Sequence, residues 1–237
     1  MSVSELLYDP YAYKKWSAKR QRALSYVVGV LLRGDGTVCM YTSHEKLKTR
    51  HGIKPYLRRY YIIQLKVKSK LFAEKFNKEM AIVLNRKPVK IYEYRGMYIV
   101  RYKNKAFVKW WLDNNIPENT NIIKPLIIKY PRDYLLGQFD SDGSVDIIRY
   151  RVKICGPKSS LKILQLDRDL CIKLGMRTSK IEQYYDIGYK KEIDGRTIIA
   201  KEPGYRFEVS AIDFINKIGF LNVESRKAVS YTHLRAH

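Results

Sequence analysis

One order of secondary-structure elements occurs twice along the chain, and this repeat constrains the fold more than any other feature of the sequence. Hydrophobic periodicity in the first half predicts helix, strand, strand, helix, strand, strand and helix. These segments are Leu24–Arg33, Thr37–Thr42, Arg59–Lys68, Leu71–Leu84, Lys90–Tyr94, Tyr98–Lys103 and Ala106–Asp113. We therefore expect an α+β fold whose first repeat is an αββαββα unit.

The second half repeats this order after a connection rich in Pro and Asn, with a shorter first hairpin. Its segments are Tyr134–Phe139, Val145–Ile147, Arg149–Ile154, Leu161–Leu174, Lys180–Asp186, Tyr205–Val209 and Ile212–Ile218. Two copies of one unit predict a pseudo-twofold axis. The expected divisions are an N-terminal arm (1–20), a first repeat (21–113), a linker (114–130), a second repeat (131–228) and a tail (229–237) that reads as a non-native run.

The charge of the chain indicates a polyanionic partner. The 237 residues include 46 Lys and Arg against 23 Asp and Glu, for a formal net charge of +23. Residues 1–125 contribute 26 basic and 9 acidic side chains, and residues 126–237 contribute 20 and 14. A surplus of this size repels itself in the folded state, so nucleic acid is the first candidate partner and an anionic membrane surface the second.

Several classes of protein are excluded at this stage. No apolar run approaches the roughly 20 residues that span a bilayer, and the N-terminal segment lacks the apolar core of a signal peptide. The three cysteines and four histidines are scattered without zinc-ligand spacing, so no structural zinc site is expected. We expect an intracellular protein that is neither secreted nor membrane-bound.

The basic residues alternate with apolar and aromatic residues along predicted strands. From Ile63 to Lys68 the chain reads apolar, polar, apolar, polar, and Arg149, Arg151 and Lys153 are expected on one face of another strand. Solvated sheet faces would explain one such strand. Several Tyr-rich basic strands in a chain of this charge favour a nucleic-acid surface instead.

Each repeat opens with an apolar helix that finishes in Asp-Gly, at Asp35-Gly36 and at Asp142-Gly143. A single Asp-Gly is an ordinary helix end, because Gly accepts the left-handed conformation. A carboxylate at a helix C-terminus, however, lies at the negative end of the helix dipole. Its occurrence at matching positions of two repeats indicates a bound cation.

The residues from Leu135 to Gly143, Leu-Leu-Gly-Gln-Phe-Asp-Ser-Asp-Gly, resemble the nonapeptide of the LAGLIDADG homing endonucleases. The residues from Val28 to Gly36 resemble a second copy, as in the single-chain form of that family. The repeat order is also similar to the family's αββαββα unit, and the resemblance covers nearly the whole chain after Arg20.

The resemblance implies two motif helices packed side by side through small residues, here Gly29 and Gly137. It implies that Asp35 and Asp142 meet at the base of a saddle of antiparallel strands over DNA. There they hold two or three Mg²⁺ ions, with Mn²⁺ as a substitute, and the adjacent Gly34 and Ser141 complete the metal-site assignment. Asp140, the earlier acid of the second motif, is expected to have a local structural role.

The resemblance also implies a basic residue near each acid. By position the candidates are Lys227, next to Arg226, for the second half, and Lys124, Lys129 and Lys68 for the first. For any one of these, a phosphate contact or a solvated charge is the alternative.

One departure from the family pattern concerns the first motif. The packing glycine precedes the acid by five residues in the second motif and by six in the first, which rotates it about 100° around the helix. Arg33 also stands where the motif often has an acidic or small residue. An inactivated first copy, leaving a binding protein or a nickase, is therefore an alternative.

Basic, amide and tyrosine side chains of the strands are expected to contact double-stranded DNA in its major groove. They are Arg58, Arg59, Tyr61, Gln64, Lys66, Lys68, Lys90, Tyr92, Arg95, Arg101, Lys103, Arg149, Arg151, Lys153, Lys180, Gln183, Tyr185, Lys190 and Arg206.

The leading hypothesis is a monomeric, intron-encoded, Mg²⁺-dependent endonuclease that hydrolyses phosphodiester bonds in both strands of a long asymmetric site, with no obligate protein partner. An RNA-binding intron maturase that assists splicing, and a catalytically inactive DNA-binding regulator, are the alternatives.

Overall fold

The chain folds into two compact units, Met1–Lys129 (unit 1) and Tyr130–His237 (unit 2). The computed structural model describes residues 2–33, 35–50, 52–146, 148–193 and 196–219. Each unit pairs a four-stranded antiparallel sheet with helices that cover one of its faces.

Unit 1 follows the predicted element order. Its elements are α1 (Ala18–Arg33), β1 (Gly36–Thr49), β2 (Gly52–Val67), α2 (Lys70–Leu84), β3 (Tyr92–Tyr94), β4 (Met97–Lys103), α3 (Lys105–Asp113) and α4 (Lys124–Lys129). The strands lie in the order β1-β2-β4-β3. A two-residue turn at Arg95-Gly96 joins β3 to β4, and both residues have the positive φ that such a hairpin loop requires.

The two faces of the unit 1 sheet differ because side chains alternate along a strand. Leu65, Val100 and Tyr102 point into the core and are fully buried. The hydroxyl of Tyr102 donates to the backbone carbonyl and the side-chain oxygen of Asn77 in α2, at 2.9 and 2.6 Å. The helices therefore cover the face that carries Tyr102, and the neighbouring Arg101 points to the other face.

The first hairpin of unit 1 is longer than its sequence pattern indicates. Strand β1 pairs with β2 from Gly36–Leu65 to Thr49–Gly52, whereas β4 pairs only with the Ile62–Val67 part of β2. The far part of the hairpin is thus a two-stranded ribbon of roughly 30 Å, at about 3.4 Å per residue. Pro55 fits there because its missing N–H lies in a ribbon with free edges.

The N-terminal segment packs onto unit 1. It forms 3₁₀ turns at Val3–Leu7 and Ala12–Lys15. Trp110 in α3 donates its ring N–H to the carbonyl of Pro10 at 3.0 Å, and the hydroxyl of the buried Tyr13 donates to the carbonyl of Ile122. These contacts assign the predicted N-terminal arm to the core of unit 1.

Unit 2 repeats the order with one addition. Its elements are α5 (Pro131–Asp142), β5 (Ser144–Asp146), β6 (Arg151–Pro157), α6 (Leu161–Lys173), β7 (Glu182–Tyr185), β8 (Lys190–Ile193), β9 (Arg196–Ile199), β10 (Gly204–Ser210) and α7 (Ala211–Lys217). The main sheet has the order β5-β6-β10-β7, and β8 and β9 form a separate hairpin in the connection between β7 and β10.

The core of unit 2 contains a buried polar chain beside its aromatic contacts. Phe139 in α5 packs on Phe214 in α7, with ring centroids 4.7 Å apart. The hydroxyl of Tyr134 donates to the carboxyl group of Asp167 in α6 at 2.8 Å and accepts from the amide of Gln138 at 3.0 Å. All three polar groups are fully buried, so they tie α5 to α6 through hydrogen bonds that water does not replace.

The predicted α+β architecture of two αββαββα repeats is confirmed. Of the described helices, none is both long enough and apolar enough to cross a bilayer.

Candidate nucleic-acid interface and acidic helix ends

The two motif acids follow their helices at different distances. Asp142 is the last residue of α5 and is half-buried, whereas α1 ends at Arg33 and the exposed Asp35 comes two residues later. Asp35 therefore lies beyond the end of α1, whereas Asp142 lies within α5. Gly34 lies outside the described residues.

The glycine after each acid packs closely against the helix that precedes it. A Cβ atom at Gly36 would lie 2.5 Å from the side chain of Leu31, and one at Gly143 would lie 2.4 Å from the carbonyl oxygen of Phe139. Both distances are shorter than van der Waals contact. The Asp-Gly pairs thus let the chain pass directly from the motif helix into the first strand of each sheet.

The chemistry of the acids fits a hard divalent cation. Carboxylate oxygens are the ligands that Mg²⁺ prefers, and the negative end of the α5 dipole favours a cation beside Asp142. Within the described residues, no cluster of three or more His, Cys, Asp or Glu side chains is arranged to hold a metal ion. Ser141 precedes Asp142 within α5, and Asp140 lies half-buried in the same turn.

The strand register of unit 1 brings lysines to the sheet end that carries the first acid. Gly36 pairs with Leu65, so Asp35 lies at the end of the sheet where β2 finishes. Lys66, near the end of β2, and Lys68, just after it, lie at the same end. Lys68 is exposed and directly precedes Ser69, the N-cap of α2.

Lys129 lies elsewhere, because its ammonium group donates to the side-chain oxygen of Gln21 at 3.2 Å. Gln21 precedes the end of α1 by about 18 Å of helix, at 1.5 Å per residue. Lys129 therefore lies away from Asp35, contrary to the expectation for this residue. Lys124 opens α4, and Lys227 and Arg226 lie outside the described residues.

The strand register of unit 2 brings different residues to the second acid. Ser144 pairs with Lys153, so Asp142 lies at the sheet end where Cys155 and Pro157 end β6. The positions that hold lysines beside the first acid thus hold a cysteine and a proline beside the second.

A surface that we call the basic face of unit 1 lies opposite its helices. Five cationic side chains of β2 and β4 and one acid of β1 share it, namely Lys54, Arg58, Lys66, Arg101, Lys103 and Glu45. Arg101 is held in place by Gln64, whose side-chain oxygen accepts from Nε at 2.7 Å. Because Gln64 is neutral, Arg101 keeps its full charge and its terminal donors for a ligand.

Aromatic rings continue the basic face along the ribbon. Tyr41 stacks on Tyr60 with centroids 5.0 Å apart, and the guanidinium of Arg58 lies 5.1 Å from the Tyr60 ring. A hydrogen bond from Tyr60 to Glu45 raises the pKa of the Tyr60 hydroxyl. At the other edge, Tyr92 and Tyr94 of β3 are more than half exposed. These rings are available for stacking or groove contacts.

The matching surface of unit 2, its ion-paired face, has a balanced charge. Lys153 lies 2.5 Å from Asp146 and 3.7 Å from Glu208, and Arg206 lies 2.8 Å from Glu182. The hydrogen bond from Lys153 lowers the pKa of Asp146, and the bond to Glu182 raises the pKa of Arg206. Arg151 completes a set of three cations and three acids on this face.

Several residues that we expected at a DNA surface lie elsewhere. Arg59 and Tyr61 point to the face opposite Arg58 because strand residues alternate, and Gln183 pairs with Tyr205 on the face opposite Arg206. Arg149 is in the β5–β6 turn, and β6 begins only at Arg151, so the expected common strand face of Arg149, Arg151 and Lys153 is wrong for Arg149.

Other expected contact residues lie in loops or at edges. Lys90, Arg95 and Lys180 are exposed in connections that flank strands, and Lys190 is exposed in β8. Tyr185 stacks on Tyr189 and covers Gly204, where a Cβ atom would lie 2.2 Å from its ring. Tyr185 is thus committed to packing within unit 2.

The sequence did not predict Lys54, Tyr56 and Tyr60 as contact residues, although they share the basic face with Arg58. Their spacing of two residues was a signal for a strand, but Pro55 and the charged residues before His51 concealed it. The longer ribbon therefore enlarges the basic surface beyond the predicted strands.

Comparison with solved structures identifies the fold. A structure of the homing endonuclease I-DmoI with DNA and Ca superposes with a TM-score of 0.56 and 18% identity, covering 91% of this chain and 99% of that chain. A structure from mesophilic variants of I-DmoI gives a TM-score of 0.55 and 17% identity, covering 84% of this chain and 92% of that one.

At the level of sequence, no family model matches the chain. Uncharacterized protein MJ0314 of Methanocaldococcus jannaschii is 30% identical over 141 residues, which are 56% of this chain and 46% of that protein. The chain thus matches less than half the length of this relative.

The fold is that of the homing endonucleases, with a sheet and a motif helix in each of two units. More narrowly, the chain has the fold of the single-chain LAGLIDADG enzymes, as the resemblance of its motifs implied.

Proposed function

We propose that this protein is a site-specific, Mg²⁺-dependent endonuclease that cuts both strands of double-stranded DNA at a long asymmetric target. The observation that carries the proposal is the repetition, in a homing-endonuclease fold, of a motif helix that delivers an aspartate to the start of a sheet. The similar I-DmoI structures contain target DNA with Mn, or DNA with Ca, which supports divalent-cation chemistry.

DNA binding is assigned mainly to the basic face of unit 1. Along β2 its cations Lys54, Arg58 and Lys66 lie four and eight residues apart, which separates their positions by roughly 14 and 27 Å at about 3.4 Å per residue. Cations spread over this length can contact several phosphates of one duplex, and Arg101 with Gln64 can read base edges in the major groove. The ion-paired face of unit 2 contributes fewer uncompensated charges.

In the proposed reaction, Asp35 and Asp142 each supply a carboxylate ligand to divalent metal, and Gly34 and Ser141, which precede them in the sequence, are assigned to metal binding as well. Bound divalent ions activate water and stabilise the leaving oxygen in phosphodiester hydrolysis. Lys66 and Lys68 lie at the sheet end of Asp35, where a cation can bind the scissile phosphate or order water. Gly29 and Gly137, which are buried in α1 and α5, are proposed as the positions at which the motif helices pack.

The test is cleavage of a plasmid carrying the genomic sequence that flanks the gene, with Mg²⁺. Asp142→Asn should reduce the cleavage rate by at least about 100-fold, because the amide is a neutral, weaker metal ligand. Asp113→Asn is the matched control, since Asp113 is the last residue of α3 and pairs with Lys109. Undiminished cutting by the Asp142 variant would refute the metal-ligand assignment.

A second candidate activity, strand-selective nicking, is favoured by the different surroundings of the two acids. α1 ends before Asp35, and lysines accompany only the first acid at the strand end. An early nicked product, followed slowly by linear plasmid, would support this activity. Linear product that forms without a nicked precursor would exclude it.

A further inference from the structure

A pocket on the helical side of unit 1 concentrates positive charge away from the basic face. It has a volume of about 460 Å³ and lies between the start of α1 and the end of α2. Its lining includes Lys19, Arg20, Lys78 and Arg86, and no acid is among the described residues that line it. A pocket of this volume falls in the range that accommodates small ligands.

One of these cations has a structural role. The guanidinium of Arg20 lies 3.6 Å from the Trp16 ring and donates from Nε and a terminal nitrogen to the carbonyl of Val83, at 3.0 and 2.7 Å. That carbonyl belongs to the last turn of α2, where backbone acceptors lack helical partners. Arg20 therefore caps the C-terminal end of α2 and places a fixed positive charge at the base of the pocket.

The other three cations have no such explanation. Lys19 and Lys78 are exposed, and in the described part of the chain neither they nor Arg86 form a salt bridge. The guanidinium of Arg86 lies 4.9 Å from the Tyr102 ring, which orients its stem. Like charges that converge on one pocket repel each other, and an anion bound among them removes that cost.

The pocket is separate from the proposed DNA surface. Arg86 contacts Tyr102, whose side chain points to the helical face of the sheet, whereas the adjacent Arg101 points to the basic face. A ligand in the pocket can therefore bind without displacing one from the basic face.

We propose that this pocket binds the phosphate group of a nucleotide, either free or at the end of a single strand. Lys19, Lys78 and Arg86 supply charge-assisted donors for the phosphate oxygens. Ala81 and Ile82 supply an apolar wall for the nucleoside, and the Asn85 amide is a polar partner within reach of the same pocket. The site does not depend on the acids or on DNA cleavage.

The experiment is isothermal titration of the full chain with 5′-AMP, adenosine and inorganic phosphate at low ionic strength, where surface charge is least screened. We expect 5′-AMP to bind at one site, inorganic phosphate to bind the same site more weakly, and adenosine not to bind. A 5′-phosphorylated tetranucleotide that competes with 5′-AMP, when its unphosphorylated form does not, would assign the site to strand ends. Failure of both tetranucleotides to compete would assign it to free nucleotides.

The double variant Lys78→Ser with Arg86→Ser should weaken 5′-AMP binding roughly tenfold or more, since it removes two charge-assisted contacts. The matched control is Lys70→Ser with Lys87→Ser, which changes the net charge equally on the same helix and its following turn but outside the pocket. Lys19→Ser with Lys78→Ser gives an independent test that leaves the Arg86–Tyr102 contact intact. Absence of 5′-AMP binding in the native chain, or an equal loss in the control, would overturn the proposal.

Discussion

The sheets of the two units have the same strand order but use their charge differently. On the basic face of unit 1, five cations face a single acid, and Arg101 is positioned by a neutral amide. On the ion-paired face of unit 2, Lys153 and Arg206 are already neutralised by carboxylates. Two sheets with the same strand order can therefore differ in charge: one keeps its cations available for a polyanion, and the other pairs its cations with its own acids.

The difference extends to the acids. Lys66 and Lys68 lie at the sheet end of Asp35, whereas Cys155 and Pro157 occupy the corresponding end near Asp142. Because carboxylates repel phosphate and lysines attract it, the two halves are expected to contribute unequally to binding and to hydrolysis. Four comparisons between variants test the differences between the two units.

The largest effect on the cleavage rate is expected from substituting each of the two motif acids. Asp35→Asn and Asp142→Asn should each lower the rate of double-strand cleavage by about 100-fold or more, since each removes a charged ligand. Strand-specific end labels on the same duplex measure which strand is still cut. If both variants still cut the two strands at the same residual rate, the proposal that the two halves contribute unequally to cleavage would be contradicted.

The second effect concerns affinity for duplex DNA. Lys66→Ser with Lys103→Ser should weaken binding by about 10- to 100-fold and reduce the salt slope by nearly 2, at about 0.9 per phosphate contact. Arg151→Ser with Lys153→Ser removes the same charge from the ion-paired face and should change both quantities less. Equal losses of DNA affinity in the two double variants, measured by titration between 50 and 200 mM salt, would contradict the proposed difference between the two faces.

The third effect concerns the buried hydrogen bonds of each unit. Tyr134→Phe leaves Asp167 without one donor and Gln138 without its acceptor, at a cost of about 1–3 kcal/mol in the free energy of unfolding. Tyr102→Phe should cost less, about 0.5–1.5 kcal/mol, because Asn77 keeps two hydrogen bonds to Val89. Urea unfolding measures both losses, and a larger loss for Tyr102→Phe would reverse the expected order.

The smallest effect is a pH dependence of unit 2. Lys153 lowers the pKa of Asp146 from its ordinary value of 3.8, so the resulting stabilisation is present above that value and is lost as the pH falls through the lowered one. Lys153→Met should therefore be less stable than the native chain near pH 6, by about 1 kcal/mol or less. The difference should shrink below pH 4.

The exposed Lys162→Met serves as the control for this comparison. It lies in α6 of the same unit and removes the same charge outside the paired cluster. A stability difference for Lys153→Met that stays constant from pH 6 to pH 3 would contradict the role assigned to the Lys153–Asp146 pair.

Much of the fold could be predicted because helices and central strands carry strong periodic patterns. Leu71–Leu84 and Ala106–Asp113 were predicted within a residue of α2 and α3, since their apolar stripes repeat at helical spacing. The ribbon was predicted too short, because a two-stranded segment with both faces exposed carries no hydrophobic alternation. Lys48 and Pro55 lie in such a segment.

The separate β8–β9 hairpin illustrates the same limit. Its strands, Lys190–Ile193 and Arg196–Ile199, lie between the predicted segments Lys180–Asp186 and Tyr205–Val209, where the sequence predicted no strand. Strands of four residues give too short a pattern for periodicity to distinguish them from a loop.

By itself, the sequence determined the repeated order of elements, the two acids that follow the motif helices, and the unequal charge of the two halves. These are properties of composition and of local periodicity. Only the tertiary structure decided which charges remain available, because Lys153 meets Glu208 and Arg206 meets Glu182 across strands that are distant along the chain. Strand register sets those contacts, and register depends on how each whole sheet packs against its helices.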